Sequence, residues 1–131
     1  MIFVDTSAFL AILNSGDRFH APAGAAWRTW ITQDQRLITS NYIVLEATAL
    51  VQHRLGVDAV ATLHNDILPL LHIEWIDVAL HNLGVNALLT HRQRQLSLVD
   101  CTSFALMRHL GIRHVFTFDR HFAEQGFICL P

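Results

Sequence analysis

The chain has 131 residues, 52% of them hydrophobic, and a formal net charge of -2 with its nine histidines neutral. That length and oiliness suit one domain with a full core, and the charge excludes a long acidic or basic tail as the means of recruiting a partner. All nine basic residues are arginine, which excludes a P-loop lysine, a Schiff-base lysine and a lysine-dependent phosphoacceptor site.

Met1–Val4 is an apolar run that predicts a strand, with Asp5 at its carboxyl end. Thr6 and Ser7 offer caps for a helix over Ala8–Leu13. After a turn at Gly16-Asp17, His20 to Trp30 predicts a second helix with Pro22 in its first turn. Trp27 and Trp30 share one face of it, and large apolar rings favour core or subunit packing over stacking on a ligand there. Arg36–Ser40 predicts a second strand. In the helix that follows, from Asn41 to about Gly56, Glu46 is the one charge within the apolar stretch Asn41–Val51. An ionised carboxylate in that setting needs a cation or hydrogen-bond donors to offset its desolvation. Asp58 is placed to cap a helix over Ala59–Ile67, with Pro69 just beyond. Leu70–Ile76 predicts a third strand, and Asp77 a cap for a helix from Val78 to about Thr90.

The most informative stretch runs from Leu96 to Asp119. Ser97 caps a helix that Gly111 ends in a left-handed turn, and Phe104, Leu106, Met107 and Leu110 give it an apolar face. Asp100 falls in its first turn, where the free N–H groups of the helix end favour a carboxylate. Val115–Phe118 then suits a central parallel strand, with Asp119 at its carboxyl end, the edge where open α/β sheets place ligands. A helical turn over His121–Glu124 and a strand over Phe127–Leu130 close the chain. Strands and helices alternate throughout, which predicts a single α/β domain over residues 1–131: a three-layer sandwich whose central parallel sheet of four or five strands is covered by helices on both faces. Cys101 and Cys129 form no Cys-x-x-Cys pair, so neither a zinc site nor a redox motif is indicated, and Cys101 reads as a small buried side chain. With no signal peptide and no apolar run near the roughly 20 residues of a membrane span, the expectation is a soluble, cytoplasmic chain.

Asp5, Glu46, Asp100 and Asp119 thus lie in separate apolar settings and form a candidate metal site; set aside as one cluster, they leave a remainder carrying +2. Four carboxylates in one crevice repel each other, so protons or cations have to intervene. Hard ions, Mg2+ or Mn2+, take such oxygen ligands. Metal-independent acid–base chemistry, with His121 beside Asp119 as acid or base, is the rival. The histidines are too scattered to favour it.

Val4-Asp5-Thr6-Ser7-Ala8, Leu45-Glu46, Leu96 to Asp100, Thr117-Phe118-Asp119-Arg120-His121-Phe122 and Gly126-Phe127 together resemble a PIN-domain ribonuclease, more narrowly a VapC toxin of a toxin–antitoxin pair. The resemblance lies in the order and spacing of the acids over nearly the whole chain rather than in one motif. It implies an endoribonuclease whose metal-binding and catalytic acids are Asp5, Glu46, Asp100 and Asp119, with Asp5 and Asp100 the most direct ligands. Thr6, Ser7 and Thr117 would support them. It implies Mg2+, with Mn2+ as an alternative, an RNA substrate, a homodimer and a VapB-like antitoxin laying an arm across the site. Some relatives carry a further acid where this chain has His121. Arg92, Arg94, Arg120 and His121 border the expected crevice and could hold phosphates. The alternatives are a PIN nuclease of RNA processing without an antitoxin and a silent PIN binding module.

Overall fold

The protein, described over residues 1–131 by a computed structural model, is built on five parallel strands in the order β3-β2-β1-β4-β5. They are β1 (Ile2–Val4), β2 (Leu37–Ser40), β3 (His72–Glu74), β4 (His114–Phe116) and β5 (Ile128–Leu130). Successive strand residues point to opposite faces, yet every residue of β1 and β2 is buried, so both faces of the sheet centre are covered. The outer strands β3 and β5 are only partly buried, as edges must be. The cover comes from α1 (Thr6–Leu13), α2 (His20–Thr32), α3 (Asn41–Leu55), α4 (Val57–Thr62), α5 (Val78–His91), α6 (Leu98–Leu110) and α7 (His121–Glu124). No helix is long and apolar enough to cross a membrane.

The expected three-layer α/β arrangement is therefore the observed one, and the departures are local. Asp5, not Thr6 or Ser7, caps α1, because its carboxylate accepts the Ser7 N–H and leaves Thr6 free to enter the helix. Asp58 caps nothing. Gly56, at φ 94°, both ends α3 and begins α4, which places Asp58 inside the first turn. The helix expected to reach Ile67 changes into a π turn over Leu63–Ile67 and a 3-10 turn over Leu68–Leu70. That turn takes Leu70 out of the third strand and shortens it to three residues. β4 starts one residue early and ends at Phe116, so Thr117 and Phe118 lie beyond the strand, with the Thr117 N–H still donating to the Leu130 carbonyl at 3.2 Å.

The core is aromatic. Phe3, Phe9, Phe116 and Phe122 are fully buried, and Phe104 on α6 meets Phe122 edge-on with ring centroids 5.0 Å apart. Each such ring contributes about 2 to 3 kcal/mol of burial. Trp27 is buried and Trp30 packs edge-on against Phe116 at 4.8 Å, so that helix face is core, whereas Trp75 is 74% exposed. Cys101 is buried and both cysteines are free.

Candidate active site

Strand order decides where a ligand can sit. β1 is flanked by β2 on one side and by β4, far along the chain, on the other, so the loops leaving β1 and β4 diverge at their carboxyl ends and open a crevice there. Asp5 is the residue after β1, and Thr117 to Asp119 follow β4. The Asp5 N–H donates to the Phe116 carbonyl at 3.0 Å, which ties the two strand ends together.

Asp5 is 4% exposed and is held through one oxygen. Its Oδ2 accepts from the Ser7 hydroxyl at 2.8 Å, the Thr117 hydroxyl at 2.9 Å and the Ser7 N–H at 3.3 Å. The Ser7 hydroxyl in turn accepts from the Phe118 N–H at 2.9 Å, and the Thr117 hydroxyl from the Asp119 N–H at 3.0 Å. Each hydroxyl has one proton, so with both aimed at Asp5 the 3.2 Å approach of the two oxygens is contact, not a further hydrogen bond. This web fixes the carboxylate and leaves Oδ1 without a protein partner. Burial pushes the Asp5 carboxyl up from 3.8 to about 6; the Ser7 and Thr117 hydroxyls oppose the rise and the Asp100 charge adds to it.

Asp100 is positioned by the cap of α6. Its Oδ2 accepts the Ser97 N–H at 3.0 Å while the Ser97 hydroxyl accepts the Asp100 N–H at 3.1 Å, a reciprocal capping box. Asp119 is positioned by a tight turn: its Oδ1 accepts the His121 N–H at 3.0 Å. The carboxyl oxygens of Asp100 and Asp119 and a ring nitrogen of His121 all lie within 4.8 Å of one another. Asp5 and Glu46 fall outside that tight trio but not outside its field. Desolvation first, then the charges of Asp100 and Asp119, raises the Glu46 carboxyl above its ordinary value. The Thr6 hydroxyl, which has no hydrogen-bond partner of normal geometry, lies close enough to oppose that rise. Asp100 is raised as well, by desolvation and then, against its hydrogen bonds to Ser97, by the charge of Asp119. Asp5, Glu46 and Asp100, whose burial first and neighbouring charges second oppose ionisation, stand beside Asp119, and each aspartate has an oxygen to spare, a donor set suited to a hard divalent cation.

Arg92 and Arg94 are exposed in the loop before α6 and pair with no acid, whereas Arg120 reaches Glu124 at 3.6 Å. His121 lies elsewhere than a phosphate-binding rim residue would: its ring turns inward, with Nδ1 2.8 Å from Asp119 Oδ1 and 17% of the side chain exposed. An Asp-x-His spacing, in which an aspartate turn folds the second residue after it back onto the carboxylate, is the sequence signal for that placement. Beside Glu46, Tyr42, Leu45, Ala49, Leu98 and Val99 line a shallow apolar groove, and Tyr42 donates or accepts with His81 Nδ1 at 2.5 Å across it.

Residues 2–128 match the PIN domain. The chain belongs to the PIN-domain family. Within that family it is 36% identical over 129 residues to the 23S rRNA-specific endonuclease VapC20 of Mycobacterium tuberculosis, covering 98% of this chain and 96% of that one. The crystal structure of the Mycobacterium tuberculosis VapC20, a sarcin-ricin loop cleaving toxin, superposes with a TM-score of 0.87 at 32% identity, covering 98% of this chain and 97% of that one. The VapC-type toxins are therefore the branch of the PIN family to which this chain belongs. FitAcB from Neisseria gonorrhoeae shares the PIN fold at a TM-score of 0.71 and 20% identity, over 100% of this chain and 97% of that one.

Proposed function

We propose that this protein is a divalent-metal-dependent endoribonuclease toxin, with Asp5, Glu46, Asp100 and Asp119 as its metal-binding and catalytic acids. The observation that carries the reading is the convergence of these acids, from four separate elements, on the one crevice that the strand order opens. Asp5 and Asp100 present rigidly held carboxylates, Asp119 adds a third, and Glu46 reaches the same field from α3. When bound, Mg2+ or Mn2+ supplies Lewis-acid chemistry there, lowering the pKa of an attacking water and neutralising charge that gathers on the phosphate. Ser7 and Thr117 keep Asp5 from rotating, and the Ser97 cap does the same for Asp100. Structured ribosomal RNA is the first substrate class to test, given the relative's target.

Exposed Leu45 and the apolar groove beside Glu46 support a protein partner at the mouth of the site, in keeping with a VapB-like antitoxin; a homodimer completes the proposal. The chemistry is tested by end-mapping of cleaved RNA. Products should carry 5'-phosphate and 3'-hydroxyl ends and vanish in excess chelator. Cleavage that persists in chelator and leaves cyclic or 3'-phosphate ends would overturn the proposal.

Arg92 holds a left-handed backbone at φ 50°, a conformation costing a non-glycine residue about 1 to 2 kcal/mol. That conformation is the C-cap of α5, and it is the two exposed, unpaired guanidinium groups of Arg92 and Arg94 in the loop before α6 that support a grip on phosphate. Arg92→Ala with Arg94→Ala should weaken RNA binding and flatten the salt dependence of log K by about 1 to 1.5, the release of roughly two counterions from single-stranded RNA. An unchanged salt slope in a filter-binding titration would reduce the pair to a solvated loop.

A further inference from the structure

Resting on the metal-dependent reading above, we infer that His121 gives an imidazole nitrogen to the same ion as Asp100 and Asp119, and that this mixed nitrogen-oxygen set makes the site prefer Mn2+ to Mg2+. The three donors lie within 4.8 Å of each other. His121 Nδ1 sits 2.8 Å from Asp119 Oδ1, a distance at which a hydrogen bond would be expected, yet the nitrogen is buried and has no hydrogen-bond partner because the angle is wrong. Two polar atoms side by side without a shared proton are arranged as neighbouring ligands are. In an octahedral shell with ligands about 2.1 Å from the ion, adjacent donors stand about 3 Å apart.

The ring has little freedom to do otherwise. His121 opens α7, its N–H is fixed on Asp119 Oδ1 at 3.0 Å, and the next residue, Phe122, is fully buried against Phe104. A buried ring nitrogen without a partner carries a desolvation cost, which a shared cation would remove. The same inward placement argues against the nitrogen meeting RNA. Carboxylates and waters alone serve Mg2+ and Mn2+ alike, but an imidazole in place of one oxygen favours first-row transition ions over Mg2+.

The test uses the full chain and the metal alone. Electron spin echo spectra of added Mn2+ should show coupling to a nitrogen nucleus, and labelling the histidines with nitrogen-15 should change that coupling. His121→Asp should abolish it and lower the Mn2+ over Mg2+ affinity ratio, read by calorimetry, by about tenfold. Mn2+ that binds with no nitrogen coupling overturns the inference and leaves the metal-dependent reading standing. A wild-type chain that binds neither ion brings down both. Should His121→Asp fail to fold, as circular dichroism would report, the labelled wild-type chain decides the matter.

Discussion

Replacing Asp5 by Asn is expected to abolish RNA cleavage and, at the same time, to make the metal-free protein more stable. The two effects share one origin. Asp5 is almost wholly buried, and burial lifts its carboxyl from 3.8 to about 6 despite the lowering effect of the Ser7 and Thr117 hydroxyls. Between those two values the folded chain keeps a proton that the unfolded chain has already lost. The favourable contribution of the protonated carboxyl is therefore complete below pH 3.8 and is lost as pH rises through 6. The loss amounts to about 3 kcal/mol above pH 6. An amide of the same shape carries no such cost, so at pH 7.5 Asp5→Asn should raise the melting temperature of the metal-free chain by up to about 10 °C. Its carbonyl oxygen can still accept from Ser7 and Thr117. The group lost is the negative charge at the free oxygen, and with it several kcal/mol of charge stabilisation, about a thousandfold in rate. Calorimetry with and without Mg2+ separates the effects: the ion should stabilise the wild type and leave the variant unmoved. A variant that melts below wild type without metal would show that Asp5 is a structural acid rather than one held under strain for a ligand.

Much of this arrangement could be read from the chain because the physics is local. Asp5 and Asp119 close apolar runs that a parallel sheet buried on both faces turns into strands; Asp5 is the next residue after β1, whereas Asp119 stands three residues beyond the end of β4. Ser97 and Asp100 stand three apart, the spacing of a reciprocal cap, and the cap is formed. What could not be read depends on distant partners. That β1 lies between β2 and β4 follows from pairing across more than a hundred residues, such as Phe3 opposite Val115. The Thr117 role depends on where the β4 ladder stops, which the neighbouring strand sets through the Thr117 N–H to the Leu130 carbonyl at 3.2 Å. Asp58 followed the pattern of a cap, but Gly56 had taken that position for two helices at once. His121 was legible only as a histidine next to an acid; the inward turn of its ring comes from the aspartate turn and the burial of Phe122.

The second large effect belongs to Gly84, which has no chemistry of its own. It sits on α5 where that helix crosses α6, and a methyl group there would lie 2.3 Å from Thr102 Oγ1 and 3.2 Å from the Thr102 Cα and Cβ. Thr102 is fully buried and β-branched, so its side chain cannot swing away, and the backbone contact means that the helices themselves must part. Gly84→Ala should gain about 1 kcal/mol of helix propensity and lose more than that to overpacking, for a net destabilisation of about 2 kcal/mol. Thr102 Oγ1 is also buried without a hydrogen-bond partner, so Thr102→Ala alone should shift stability by less than about 1 kcal/mol. The pair should then be coupled: in a double-mutant cycle Thr102→Ala removes the 2.3 Å contact with Oγ1, leaves those with Cα and Cβ, and so restores part of what Gly84→Ala loses. The consequence reaches the crevice, because Asp100 stands two residues before Thr102 on the same helix. Where Gly84→Ala is still folded, its displaced α6 should bind divalent ions more weakly, and Thr102→Ala should bring part of that affinity back. Thermal melts of the four proteins decide it, since a Gly84→Ala chain as stable as wild type, or one that Thr102→Ala fails to rescue, would mean that this crossing does not set the position of α6.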